Sequence, residues 1–189
     1  DQIRFFLFRH IPFGNDGDFS KDSIAERINA DLSNNYGNLI QRISTFIVKN
    51  SNSKVNKPTK FIKDDQELLN LFDKTHDDYI KHMNSFQIDR ALKNVFEYLS
   101  DVNAYVDNQA PWLLKKTDTI RMQDVLYIVT VVIIRCSILL YPIMPDSINK
   151  ILKIFNHSLS DFDLNKIKVY IPNEILLNKV NPVFPRIDQ

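Results

Sequence analysis

Residues 88–112, Ile88-Asp89-Arg90-Ala91-Leu92-Lys93-Asn94-Val95-Phe96-Glu97-Tyr98-Leu99-Ser100-Asp101-Val102-Asn103-Ala104-Tyr105-Val106-Asp107-Asn108-Gln109-Ala110-Pro111-Trp112, decide the fold. Ile88, Leu92, Val95, Leu99, Val102 and Val106 alternate steps of four and three, the seam of a helix packed lengthwise in a bundle. The spacing predicts a helix from about Ser85 to Asn108. Pro111 suits the first position of a new, short helical turn that carries Lys115 and Lys116. Trp112 is the single tryptophan. Two readings stand beside each other: a core anchor, or a flat ring displayed at a helix N-terminus whose unpaired N–H groups and partial positive charge suit phosphates and bases.

Outward from that stretch, helical periodicity continues on both sides. Ile24, Ile28, Leu32, Tyr36, Leu39, Ile43 and Phe46 form an amphipathic stripe, and Ser20 or Asp22 can cap a helix from near Ser23, with Glu26 completing a capping box. Gly37 lies inside it, at a cost of about 1 kcal/mol relative to Ala, so a close helix crossing or backbone contact is expected there. Residues 1–11 are a short apolar segment, 12–20 a Gly- and Asp-rich turn, and 50–60 a polar loop. A helix from about Asp64 to Asn84 carries Leu69, Phe72, His76, Tyr79 and Met83 on one stripe, with Asp64-Asp65 and Asp77-Asp78 read as solvated faces. Asp124 to Tyr141 is an apolar helix. The run Val125–Met144 is long enough to cross a bilayer, but Arg135 sits near its middle, and a fully buried central helix is the better reading. Asp146 can cap a last helix to about Phe155, and Lys168–Gln189, with three prolines, reads as an extended strap. The expected fold is all-α: an antiparallel bundle of about five helices with an N-terminal adapter and a C-terminal strap.

Composition narrows the chemistry. Three glycines in 189 residues cannot build a GxGxxG or P-loop cradle, and all three lie before residue 38. One cysteine, Cys136, excludes an internal disulfide and a Cys-based metal site, and it reads as a buried thiol in a reducing cytosol. A formal net charge of +1 leaves no global basic field, so any nucleic-acid contact would be local, with shallow salt dependence. Arg9-His10-Ile11-Pro12 lacks the glycine that lets ATP approach the backbone. No catalytic constellation and no metal site are expected; the bundle reads as a recognition module.

Several blocks, in order, resemble the C-terminal part of the methionyl-tRNA synthetase family of class I aminoacyl-tRNA synthetases. They are Asp1-Gln2-Ile3-Arg4-Phe5-Phe6-Leu7, the turn Pro12-Phe13-Gly14-Asn15-Asp16-Gly17-Asp18-Phe19-Ser20, Arg27-Ile28-Asn29-Ala30-Asp31-Leu32 and Gly37-Asn38-Leu39-Ile40-Gln41-Arg42. Tyr105-Val106-Asp107-Asn108-Gln109-Ala110-Pro111-Trp112 and the ending Phe184-Pro185-Arg186-Ile187 complete the set. The resemblance implies a stem-contact segment over residues 1–20, a helical anticodon-binding domain over 21–165 and a strap over 166–189. It also implies a catalytic Rossmann domain that uses ATP with Mg and, in many members, a zinc knuckle. Neither is in this chain, which is expected to be a fragment unable to activate methionine. The strap would pack toward that domain, leaving Val183, Phe184 and Ile187 uncovered here. The implied partners are the anticodon stem-loop of tRNA(Met) and the catalytic domain of the same polypeptide, in the cytoplasm and without a membrane.

The family's anticodon readers carry over to Asn38, Arg42 and Trp112, which would meet the bases CAU, with Trp112 stacking on the first. Asn38 and Arg42 stand one turn apart, flanking the apolar stripe. Asn offers a donor and an acceptor to a base edge, and Arg offers a planar fork. Asn103, Pro111, Lys115 and Lys116 are secondary candidates for base or phosphate contact. An ordinary salt bridge at Arg42, and plain capping or solvated surface at the others, remain alternatives. So do the bundle of another class I synthetase (for valine, leucine, isoleucine or cysteine) and a non-enzymatic helical module with Trp112 in its core.

Overall fold

The structure, a computed structural model, describes residues 1–188, with Leu164 and Asn165 described by backbone alone. Gln189, the last residue of the expected strap, lies outside the described residues. The seam read from the sequence forms α5 (Ile88–Gln109), and Leu92, Val95, Leu99, Val102 and Val106 are all buried along it. It packs along α4 (Lys63–Asn84) and against α7 (Thr119–Leu140). α7 is the central helix: it touches α3 (Asn38–Asn50), α4, α5 and α8 (Pro145–Ile154), and residues 125–140 are buried throughout. That places the membrane-length apolar run inside the bundle. The one charge within it, Arg135, is 2% exposed; it lies 5.2 Å from the Phe72 ring and donates to the Tyr170 carbonyl at 3.1 Å. A cation–π contact and a carbonyl thus replace its water.

The first long helix runs continuously through α2 (Lys21–Arg27), a π-helical stretch (Ile28–Gly37) and α3 (Asn38–Asn50). Ser20 caps it, but its box partner is Ser23 and not Glu26: each backbone N–H donates to the other's hydroxyl at 3.2 Å. Gly37 ends the wide π winding. A Cβ there would lie 2.7 Å from the Leu32 carbonyl oxygen and 3.3 Å from Phe184 Cβ, so the close approach is to the helix's own backbone and to the strap.

The strap therefore departs from expectation. Phe184 is buried beside Tyr36, with ring centroids 6.0 Å apart, and Val183 and Ile187 pack half-buried on the same core. Asn29 secures this end twice, donating to the Ile187 carbonyl and accepting from its N–H, both at 2.8 Å. The strap needs no second domain to cover these side chains. Upstream, Glu174–Leu176 forms strand β2, antiparallel to β1 (Lys54–Asn56) inside what read as a polar loop.

Residues 2–10 are helical (α1, Gln2–His10), and α1 docks on α5. Arg4 donates to the Ile143 and Pro142 carbonyls at 3.0 and 2.9 Å, beyond the end of α7. Asp146 does not cap α8 (Pro145–Ile154); it lies in the first turn, and the Asp1 carboxylate accepts the Ser147 N–H at 2.7 Å instead.

Candidate nucleic-acid interface

α5 ends at Ala110, whose φ of 45° is left-handed and turns the chain sharply into α6 (Pro111–Thr117). Pro111 sits at the first helical position with its ring buried, so the turn is pinned on its inner side. Trp112 follows on the outer side and is 40% exposed. The ring is on display, which removes the reading of Trp112 as a core anchor.

Arg42 reaches this ring from α3. Its guanidinium carbon stands 5.8 Å from the indole centroid, within cation–π range. Two α5 side chains hold the same guanidinium: Nη1 pairs with Asp107 at 3.0 Å and Nη2 donates to the Asn103 side-chain Oδ1 at 3.3 Å. Asn103 in turn donates to Asn35 at 2.8 Å, and Asn35 donates to Ser100 at 3.0 Å. Arg42 is thus both salt-bridged and stacked; its Nε is buried without a partner among the described residues.

The structure brings Arg42, Asn103 and Trp112 together and places Pro111 beneath them. Asn38 begins α3 one turn before Arg42, exposed and without a side-chain hydrogen bond among the described residues. Lys115 and Lys116 are exposed on the last turn of α6, with no carboxylate partner among the described residues. Asn35 and Asp107 were not singled out from the sequence. Both are legible in hindsight: Asn35 lies seven residues before Arg42, two helical turns, and Asp107 lies four after Asn103.

Beneath the turn lies a second network. Asp65, read from the sequence as solvated, is fully buried. Its carboxylate accepts two bonds from Arg121, at 2.9 and 2.7 Å, one from the Tyr105 hydroxyl at 2.6 Å and one from the Ile62 N–H at 3.0 Å. Burial, and then the neighbouring carboxylate, push the Tyr105 hydroxyl far above the ordinary tyrosine range. Burial opposes the charge on Arg121, but Asp65 and Tyr105 outweigh it and hold that pKa above its usual value. Among the described residues no group of three His, Cys, Asp or Glu could hold a metal ion. An exposed indole, a guanidinium over it and amides on two adjoining helices are chemistry for unstacked bases.

Comparison with known proteins agrees with that chemistry. Residues 65–162 match the family model "anticodon-binding domain of tRNA ligase", and residues 1–44 match "tRNA synthetases class I (M)". This chain belongs to the anticodon-binding domain family of tRNA ligases, in its methionyl-tRNA synthetase branch. It is 36% identical over 176 residues to a methionine–tRNA ligase of Rickettsia conorii, covering 87% of this chain and 35% of the relative. A methionine–tRNA ligase of Brucella suis is 40% identical over 154 residues, 82% of this chain and 30% of the relative. The free-state crystal structure of Mycobacterium tuberculosis methionyl-tRNA synthetase superposes with a TM-score of 0.94 at 32% identity, over 100% of this chain and 39% of that one. The chain spans about a third of the length of the curated relatives it matches. Within the methionyl-tRNA synthetase family, then, it is the anticodon-binding helical domain. Neither the other class I synthetases nor a non-enzymatic module is favoured.

Proposed function

We propose that this chain reads the CAU anticodon of tRNA(Met), within a cytoplasmic enzyme that ligates methionine to that tRNA using ATP with Mg. Arg42 poised over the exposed Trp112 ring carries the reading: a stacking platform, a planar cation and, one turn away, the free amide of Asn38 face the same solvent. Trp112 stacks on the first base, while Asn38 and Arg42 take base edges. Asn103 shares the Arg42 network and adjusts with it. Pro111 fixes the turn, and Lys115 and Lys116 meet backbone phosphate.

The residues here offer no phosphate cradle for ATP, so activation of methionine belongs to the catalytic domain of the same polypeptide. A Mycobacterium tuberculosis relative is described bound by methionyl-adenylate, which supports that assignment. Residues 1–20 form the segment between that domain and the bundle of 21–165, closed by the strap of 166–189. Leu7, Phe8 and Phe13, at 42, 36 and 75% exposed, give that segment an apolar face fit to meet it.

The test is titration of this chain with a CAU anticodon stem-loop, followed by Trp112 emission. Quenching on binding is expected. Trp112→Ala leaves no tryptophan, so its binding is followed by the anisotropy of a labelled stem-loop; it is expected to weaken by about 1–3 kcal/mol, the worth of one stacked base, with the urea unfolding midpoint by circular dichroism unchanged. Binding as tight as the parent's would remove the anticodon reading.

A further inference from the structure

Residues 110–118 link α5 to α7 through α6 and carry Trp112 on their outer side. One side chain closes the base of that link. Arg121, in the first turn of α7, reaches back to Gln109, the last residue of α5; Nε and Nη2 donate to its Oε1 at 3.2 and 2.8 Å. The rest of the guanidinium is occupied by the buried Asp65 carboxylate and the Tyr105 hydroxyl. Gln109 also donates to Asp64 at 3.0 Å, and Asp118 caps α7 by accepting the Arg121 N–H at 2.9 Å. The end of α5 and the starts of α4 and α7 thus meet at one cation.

We infer that Arg121, buttressed by Asp65 and Tyr105, is the positioning residue that holds the Trp112 turn in place for base stacking. The inference rests on the anticodon reading above. A buried ion pair seldom stabilises more than well-packed apolar side chains would, so bulk stability does not account for one at this place. Its location does. It holds Gln109, the neighbour of Ala110, a non-glycine residue at φ 45°, a conformation that persists only where its flanks are over-determined. Gln109 and Arg121 supply that constraint one residue before Ala110. A platform fixed in advance loses less freedom when a base settles on it. A lysine cannot substitute, because a point charge serves either Asp65 or Gln109, whereas the planar fork serves both.

Because Trp112 is the single tryptophan, its fluorescence reports on this ring alone. Three variants of the full chain separate positioning from stability. Gln109→Ala, at a half-exposed site, cuts the tie to the turn, and Arg121→Lys keeps the charge against Asp65 but loses the fork. Leu152→Ala damages the core on α8, away from the turn. Gln109→Ala and Arg121→Lys should lower Trp112 anisotropy, increase acrylamide quenching and weaken binding of the CAU stem-loop by roughly three- to tenfold, the order expected when a preorganised group is loosened. Leu152→Ala should lower the urea midpoint and change none of these. Parent-like anisotropy and affinity in both Gln109→Ala and Arg121→Lys, or an equal affinity loss in Leu152→Ala, would overturn the positioning role while leaving the anticodon reading intact. If Trp112→Ala binds as tightly as the parent, the anticodon reading fails, and this inference falls with it.

Discussion

Arg42 makes an exposed ion pair with Asp107, and such pairs contribute about 0–1 kcal/mol. Its value lies in planarity: the same guanidinium covers the Trp112 ring and binds an amide. Arg42→Lys is therefore expected to leave the unfolding free energy from urea titration within about 0.5 kcal/mol and to weaken stem-loop binding about tenfold, as measured by fluorescence titration. A second residue controls acid behaviour. Burial lowers the pKa of His157 from its ordinary 6.5, against the pull of Asp161, and its Nε2 lies 2.7 Å from the Tyr170 hydroxyl. The unfolded chain then takes up a proton before the folded one does, so stability is present above the unfolded value and declines as pH falls below about 6.5. Urea midpoints between pH 7 and pH 5 should show this slope, and His157→Gln should flatten it.

At the scale of elements, periodicity revealed α5, whose apolar residues recur with the helical period, and an unbroken apolar run revealed α7. It missed features that depend on what lies opposite. On α4 the buried line is Asp65, Leu68, Phe72, Thr75 and Tyr79, one face in steps of three and four. Read as a solvated charge beside Asp64, Asp65 concealed that line, and nothing near it in sequence announces Arg121. Removing the partner exposes the point: Arg121→Ala leaves a buried carboxylate uncompensated and should cost about 3–5 kcal/mol in urea unfolding. The π winding of Ile28–Gly37 was also illegible, since Leu32 and Tyr36 fit an α-helical stripe equally well. Gly37 was the one local sign of it. Gly37→Ala gains helix propensity of about 1 kcal/mol but forces a Cβ to 2.7 Å from a backbone oxygen, which cannot swing aside. A net destabilisation of about 1–3 kcal/mol is expected by thermal or urea unfolding.

Across the whole molecule, a net charge of +1 leaves RNA contact to a few local cations. With Lys115 and Lys116 meeting phosphate and Arg42 a base edge, as proposed, the slope of log K against log salt should be about −1.4, each single-strand phosphate contact being worth about 0.7. The double variant Lys115→Ala, Lys116→Ala should bring it close to zero. Trp112 and the apolar face of α1 lie near opposite ends of α5, whose 22 residues span about 33 Å, so the proposed base reading and the proposed interdomain contact do not compete for surface. The strap adds a temporal dimension. The groove around Asn29 and Gly37 is completed by Phe184 and Ile187, and the Asn29–Ile187 bonds join positions 158 residues apart. At roughly 5–20 residues per second, a ribosome needs about ten to thirty seconds to travel between them. For that interval the first long helix exists with an unfilled seat, which only the strap can close.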